Sequence, residues 1–198
     1  MMVNPVITQK PEASPTIQQQ EPEVEKSPSI SLEEFLLNPI EGIEWVDGQL
    51  IEKTGMTFKH SVTQSKLSTS WRNYKNASSK DGEVGTEAPC RTNRQMRRPD
   101  VAYVTPEILN QYGEFKVLPQ SFPLIAEIAS PDDKAEELFA KAQEYLESGC
   151  QEVWLVFPEA KLVMVNNGER WLLFNGDQVV ATQNVLSGFE VAVSDLVS

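Results

Sequence analysis

The sequence predicts an α/β fold built on a mixed sheet, and three observations predict it. Apolar runs of strand character recur, as in Asp100-Val-Ala-Tyr-Val104, Phe122-Pro-Leu-Ile-Ala-Glu-Ile-Ala-Ser130 and Glu152-Val-Trp-Leu-Val-Phe157. Two longer stretches carry apolar residues at helical spacing instead. One of these lies between the second and third runs, so Leu124 to Phe157 forms a strand-helix-strand unit, which should be a right-handed parallel crossover. The architecture expected is a central mixed sheet flanked by helices, with β-hairpins toward both ends of the chain.

The elements follow in order. Residues 1–28 are rich in Pro, Gln, Glu, Ser and Thr and lack aromatic residues; they cannot bury enough apolar area to offset ordering entropy and read as a disordered tail. Ser31-Leu-Glu-Glu34 is a capping box that opens a short helix. Ile43-Glu-Trp-Val46 and Gln49-Leu-Ile-Glu52 flank Asp47-Gly48, the signature of a tight hairpin. From about Thr57 to Lys75, Phe58, Val62, Leu67, Trp71 and Tyr74 fall at helical spacing. Strands are expected near Glu83 and at Asp100–Val104, then an irregular stretch to Gln120, then the Leu124 strand. Pro131 and Asp132 open a second long helix, about Asp132 to Glu147, which Gly149 caps. Asn167-Gly168 and Asn175-Gly176 then punctuate C-terminal β-structure.

The chain has 198 residues, which suits one folded domain over 29–198. No apolar run approaches the roughly 20 residues that span a bilayer, and the N-terminus lacks the pattern of an export signal, so a cytoplasmic protein without membrane contact is expected. Two cysteines, Cys90 and Cys150, cannot form a disulfide framework and read as buried small residues. The net charge of −12 argues against a non-specific coat on nucleic acid. That average hides an asymmetry: between Lys53 and Arg98 ten Lys/Arg face three acids, leaving the rest of the chain at −19. Lys59, Arg94, Arg97 and Arg98 are the candidate phosphate contacts of this basic segment, although a solvated helix face with a basic loop explains it as well.

Asp100 opens one apolar run and Glu127 sits within another. A buried carboxylate costs several kcal/mol, roughly, unless a cation or good hydrogen bonds compensate it. Two on adjacent strands therefore suggest a shared divalent cation. On the following helix Lys134, Glu137, Leu138, Lys141 and Tyr145 share one stripe, whereas Phe139, Ala142 and Leu146 mark a face that packs on the sheet. Two carboxylates and a lysine make a hard-oxygen site with a cation beside it to stabilise charge on a transferring phosphoryl group. The structural alternatives are that Asp100 caps a strand or receives Arg97, that Glu127 pairs with a core lysine, and that His60 is a surface helix residue.

Arg98-Pro99-Asp100-Val101, Glu127-Ile-Ala-Ser130-Pro131, Lys141-Ala-Gln-Glu-Tyr145, Gly149 and Glu152-Val-Trp154 together resemble the Uma-type restriction endonuclease family. This is a branch of the PD-(D/E)XK superfamily common in cyanobacteria. The resemblance runs from about Glu44 to Leu196 and takes in Asp47-Gly48 and His60. It implies a restriction-endonuclease-like core in which Asp100 and Glu127 hold Mg²⁺ or Mn²⁺ and a water attacks a DNA phosphodiester. The superfamily pattern places a lysine two residues after the glutamate, where this chain has Ala129. The resemblance assigns that cation to Lys141 and takes in His60 as a supporting residue; Tyr145, one helical turn beyond Lys141 on the same face, is either a core residue or the hydrogen-bond partner that orients the ammonium. Glu52 or Glu44 is implied as a third carboxylate, and a homodimer is suggested. Two rival readings keep the fold: a binding module with a vestigial site, which the acidic composition favours, and a hydrolase of a smaller phosphate ester.

Overall fold

The computed structural model describes residues 30–53 and 56–197. The tail expected over 1–28 lies outside the described residues. The capping box forms: Ser31 Oγ accepts the Glu34 N–H at 3.3 Å and Glu34 Oε2 accepts the Ser31 N–H at 3.0 Å. It starts α1 (Leu32–Leu37), which buries Leu32 and Phe35. Strands β1 (Ile43–Val46) and β2 (Gln49–Glu52) follow, with Asp47 at φ 49° and Gly48 at φ 83° in the turn. Positive φ at both positions is what a twisted two-residue hairpin requires.

Helix α2 (Phe58–Ala77) is capped by Thr57. Its inward row is His60, Thr63, Leu67, Trp71 and Lys75, while Phe58 is 85% exposed. The apolar spacing correctly identified the helix but rotated its face, because two polar residues at its start turn inward. Next come β3 (Glu83–Thr86), β4 (Cys90–Arg91), β5 (Met96–Arg97) and β6 (Val101–Val104). The stretch expected to be irregular contains α3 (Pro106–Tyr112), started by Thr105 with proline in its first turn. Then β7 (Leu124–Ile128) leads to α4 (Ala135–Glu147) and β8 (Glu152–Phe157). Helix α4 begins three residues later than expected because Asp133 Oδ2 accepts the Ser130 N–H at 2.7 Å and holds a turn there. The chain ends with β9 (Leu162–Asn166), β10 (Trp171–Asn175), β11 (Val179–Ala181), β12 (Glu190–Ala192) and α5 (Val193–Val197).

The main sheet has six strands in the order β10-β9-β8-β7-β6-β3, and β7 pairs with β8 in parallel as expected. The other neighbours in this sheet are antiparallel, so it is mixed. A smaller sheet, β2-β1-β5-β4, lies toward the N-terminal side, and β11 pairs with β12. Alternation along the strands divides the core in two. Leu124, Ala126 and Ile128 join Leu67 and Trp71 of α2 and Leu196 of α5, with Trp71 and Trp154 meeting edge to face at 5.8 Å. Ile125, Val153 and Leu155 pack on the other side against Leu138, Ala142 and Tyr145 of α4. Phe139 and Leu146 are only partly buried there, which shifts the packing face from the one expected and turns Lys141 inward. Cys90 and Cys150 are buried and free. Among the described residues no helix is long and apolar enough to cross a membrane.

Candidate active site

The strand pairing builds the site. Val101 faces Ala126 across β6 and β7, so Asp100 and Glu127, one step further on each strand, project to the face covered by α4. Both are buried, at 2% and 3% exposure. They line a cavity of about 560 Å³ that Glu44, Lys53, His60 and Lys141 also line.

Asp100 is held on every side. Its Oδ2 accepts the Ile128 N–H at 2.6 Å and lies 3.2 Å from His60 Nε2, and its Oδ1 accepts from Lys53 Nζ at 2.7 Å. Burial alone would raise its pKa, but the His60 hydrogen bond and the Lys53 and His60 charges prevail and hold it well below the ordinary carboxylate range. Glu127 behaves oppositely. Burial pushes its pKa up to about 7, with the Asp100 and Glu44 charges adding to the rise and Lys141 opposing it. Its Oε1 accepts from Tyr145 Oη at 2.7 Å and forms an ion pair with Lys141 Nζ at 3.1 Å. The phenol thus braces the carboxylate and not the ammonium, which corrects the expected Tyr145–Lys141 contact. Lys141 instead bridges Glu127 and Glu44, each at 3.1 Å.

The third acid near this pair is Glu44. It is buried, and its Oε1 also accepts the Arg98 N–H at 2.8 Å while its Oε2 receives Arg97 at 3.1 Å. Burial works against its ionisation, yet Lys141 and Arg97 lower its pKa. Glu52, the other hairpin candidate, is exposed at the cavity rim and does not join the acid pair.

The basic segment is used differently from the sequence expectation. Arg98 is 7% exposed and donates to the carbonyls of Ile43 at 3.1 Å, Glu87 at 3.0 Å and Ile40 at 3.0 Å. Arg97 is clamped by Glu144 at 2.7 Å and Glu44. Both guanidiniums are engaged by partners within the fold: Arg98 ties the end of β5 to the α1–β1 loop, to β1 and to the residue after β3, and Arg97 ties β5 to β1 and α4. Lys59 pairs with Glu159 at 3.1 Å, and Arg94 is exposed in the β4–β5 turn. Lys134 and Glu137 pair with each other on the surface at 2.7 Å.

Sequence reasoning missed Lys53, Glu87 and Gln64. Lys53 also meets Glu87 Oε2 at 2.7 Å, and Gln64 Nε2 donates to Glu87 Oε1 and to the Asp100 carbonyl, each at 2.9 Å. Lys53 and Glu87 lie outside regular elements, where periodicity offers no signal; Gln64 reads as one more polar residue of a helix.

Asp100 and Glu127 supply hard carboxylate oxygens at one cavity, and Glu127 is a buried acid whose negative neighbours a cation would offset. Among the described residues no three His, Cys, Asp or Glu side chains converge as a complete metal cage. Mg²⁺ is commonly held by one or two carboxylates with solvent and substrate oxygens completing its shell, so the pair fits such an ion.

A mixed sheet between helices, with an aspartate before one strand and a glutamate on its neighbour, is the core that the family resemblance implied. The family model Uma2, described as "Putative restriction endonuclease", matches residues 30–194, and the chain belongs to this family. The fold is also similar to the crystal structure of a "putative nuclease belonging to DUF820" from Anabaena variabilis ATCC 29413: TM-score 0.74, 24% identity, covering 84% of this chain and 97% of that one. No curated protein matches.

Proposed function

We propose that the protein is a metal-dependent endonuclease that hydrolyses DNA phosphodiester bonds at the Asp100–Glu127 cavity. The observation that carries this reading is two buried carboxylates on neighbouring strands, each with a lysine in contact, at one open cavity. Asp100 and Glu127 would hold Mg²⁺ or Mn²⁺, which when bound supplies charge to polarise the phosphate and activate water. Lys141 lies against Glu127 where the superfamily lysine is replaced by Ala129, and serves as the preorganised cation for charge developing on the phosphoryl oxygens. Tyr145 fixes Glu127, while His60 and the Ile128 N–H fix Asp100. Arg94 at the exposed turn and Lys59 near the start of α2 are the remaining candidates for backbone phosphates.

Incubating the pure protein with plasmid and linear DNA in Mg²⁺, Mn²⁺ or EDTA tests the proposal. Cleavage in either metal and none in EDTA is expected, and Asp100→Asn should abolish it. Metal-independent cutting, or none under any condition, would refute it. The second result would favour a binding module, a reading that the net charge of −12 and the inward use of Arg97 and Arg98 support.

A further inference from the structure

A second lysine stands in the cavity beside the one the sequence assigned. Lys53 follows β2, and its backbone N–H is fixed to the Gly42 carbonyl at 3.0 Å, so its ammonium reaches the site through the side chain alone. That ammonium has three donors and meets three acceptors: Asp100 Oδ1 at 2.7 Å, Glu87 Oε2 at 2.7 Å and the Arg98 carbonyl at 2.8 Å. Only the first belongs to the acid pair that would bind a cation.

Asp100 has one oxygen to offer. Its Oδ2 is committed to the Ile128 N–H and His60, so an incoming cation must take Oδ1, which Lys53 occupies. An ammonium and a divalent cation repel each other strongly on a shared oxygen at contact distance. Glu87, by contrast, is built to retain the lysine. Its φ of 54° lies in the left-handed region that few non-glycine residues adopt, and Gln64 fixes its second oxygen at 2.9 Å while also holding the Asp100 carbonyl. Lys141 has no such alternative partner outside the site, since both its acids, Glu44 and Glu127, line the cavity.

We infer that Lys53 is a positioning residue that competes with the divalent cation for Asp100 Oδ1. It holds the carboxylate in place in the metal-free protein and stays on Glu87 and the Arg98 carbonyl when metal binds. This rests on the reading that Asp100 and Glu127 bind a divalent cation. Retained by two of its three acceptors, the ammonium remains beside the acid pair and offers a second charge to a bound phosphate.

Calorimetric titration with Mn²⁺ of wild type, Lys53→Met and Asp100→Asn, with melting followed in EDTA and in Mn²⁺, separates the outcomes. Lys53→Met should bind Mn²⁺ about tenfold to a hundredfold more tightly, the scale of one charged hydrogen bond no longer displaced. It should also melt below wild type in EDTA and recover more of that deficit in Mn²⁺. A lysine with a purely structural role would lower the melting point in both and leave affinity unchanged; equal or weaker Mn²⁺ binding by Lys53→Met, with wild type binding normally, overturns the inference and leaves the metal reading standing. Binding in neither protein sinks both. Should Lys53→Met fail to fold in EDTA, Glu87→Gln replaces it: loss of the retaining charge should weaken Mn²⁺ binding, and unchanged or tighter binding there would overturn the competition.

Discussion

In the metal-free protein, stability should fall as pH rises through the range where most carboxylates are already ionised, and Glu127 is the cause. Unfolded, this side chain titrates near 4.5; folded, burial and the Asp100 and Glu44 charges lift it to about 7 against the pull of Lys141. Between those values the native state holds a proton that the unfolded chain has released, so stability is fully present below 4.5 and is lost as pH rises toward about 7. At about 1.4 kcal/mol per pH unit the rise is worth about 3 kcal/mol, a large part of the 5–15 kcal/mol, roughly, that holds a domain together. Asp100 contributes the opposite sign in a lower window: its depressed pKa gives stability above 3.8 that disappears on acidification. His60, whose pKa is raised because the Asp100 hydrogen bond outweighs burial, adds stability below 6.5 that fades at higher pH. Urea unfolding in EDTA at pH 5, 6, 7 and 8 should therefore show a decline in wild type, steepest below 7, and only the shallower His60 decline in Glu127→Gln. Stability that is flat or rising from pH 5 to 7 in wild type, or an unchanged slope in Glu127→Gln, would refute the reasoning.

Three further outcomes are expected. Arg98→Met should lower unfolding free energy by about 3 kcal/mol or more in urea titrations, because three backbone carbonyls lose their donor at once; a loss under about 1 kcal/mol would mean the guanidinium is solvated and free for phosphates. If the protein cleaves DNA, Lys141→Ala should slow it roughly a hundredfold or more and also lower the melting point by leaving Glu44 and Glu127 without their shared cation, whereas Lys134→Ala should change neither; the reverse ranking would overturn the assignment. Gly82→Ala should destabilise by more than about 1 kcal/mol, since at φ 100° a Cβ would sit 2.5 Å from the Val104 carbonyl oxygen, and a melting point equal to wild type would show that the turn can shift.

Much of the scaffold was legible in the sequence because it is written in local chemistry. Asp47-Gly48, Ser31 with Glu34, and the apolar runs of β6, β7 and β8 each specify their element without reference to the rest of the chain. Thr105-Pro106 carried an equally local start signal for α3, which was overshadowed by the polar residues around it. The two-residue strands β4 and β5 could not be seen, since they exist only through partners such as Trp45 opposite Met96. The acids show the same division. An acid in an apolar run marks Glu127, and Glu152 opens a run of the same kind, yet it is fully buried and satisfied by the Gln183, Asn184 and Val185 N–H groups and the Trp154 indole. Sequence pattern finds buried acids; only the fold tells which are wrapped in peptide donors and which face a cavity. Lys53 and Glu87 belong to that second kind of information, because three acceptors from distant segments give the lysine its place.

The cavity draws Glu44 and Lys53 from the small sheet's hairpin, His60 from α2, Asp100 and Glu127 from neighbouring strands and Lys141 and Tyr145 from α4. No fragment of the chain contains enough of these groups to act, and a slip of one residue between β6 and β7 would point Glu127 into the apolar layer around Trp71. A copy in which α4 has not docked on the sheet therefore lacks Lys141 and Tyr145 at the acid pair.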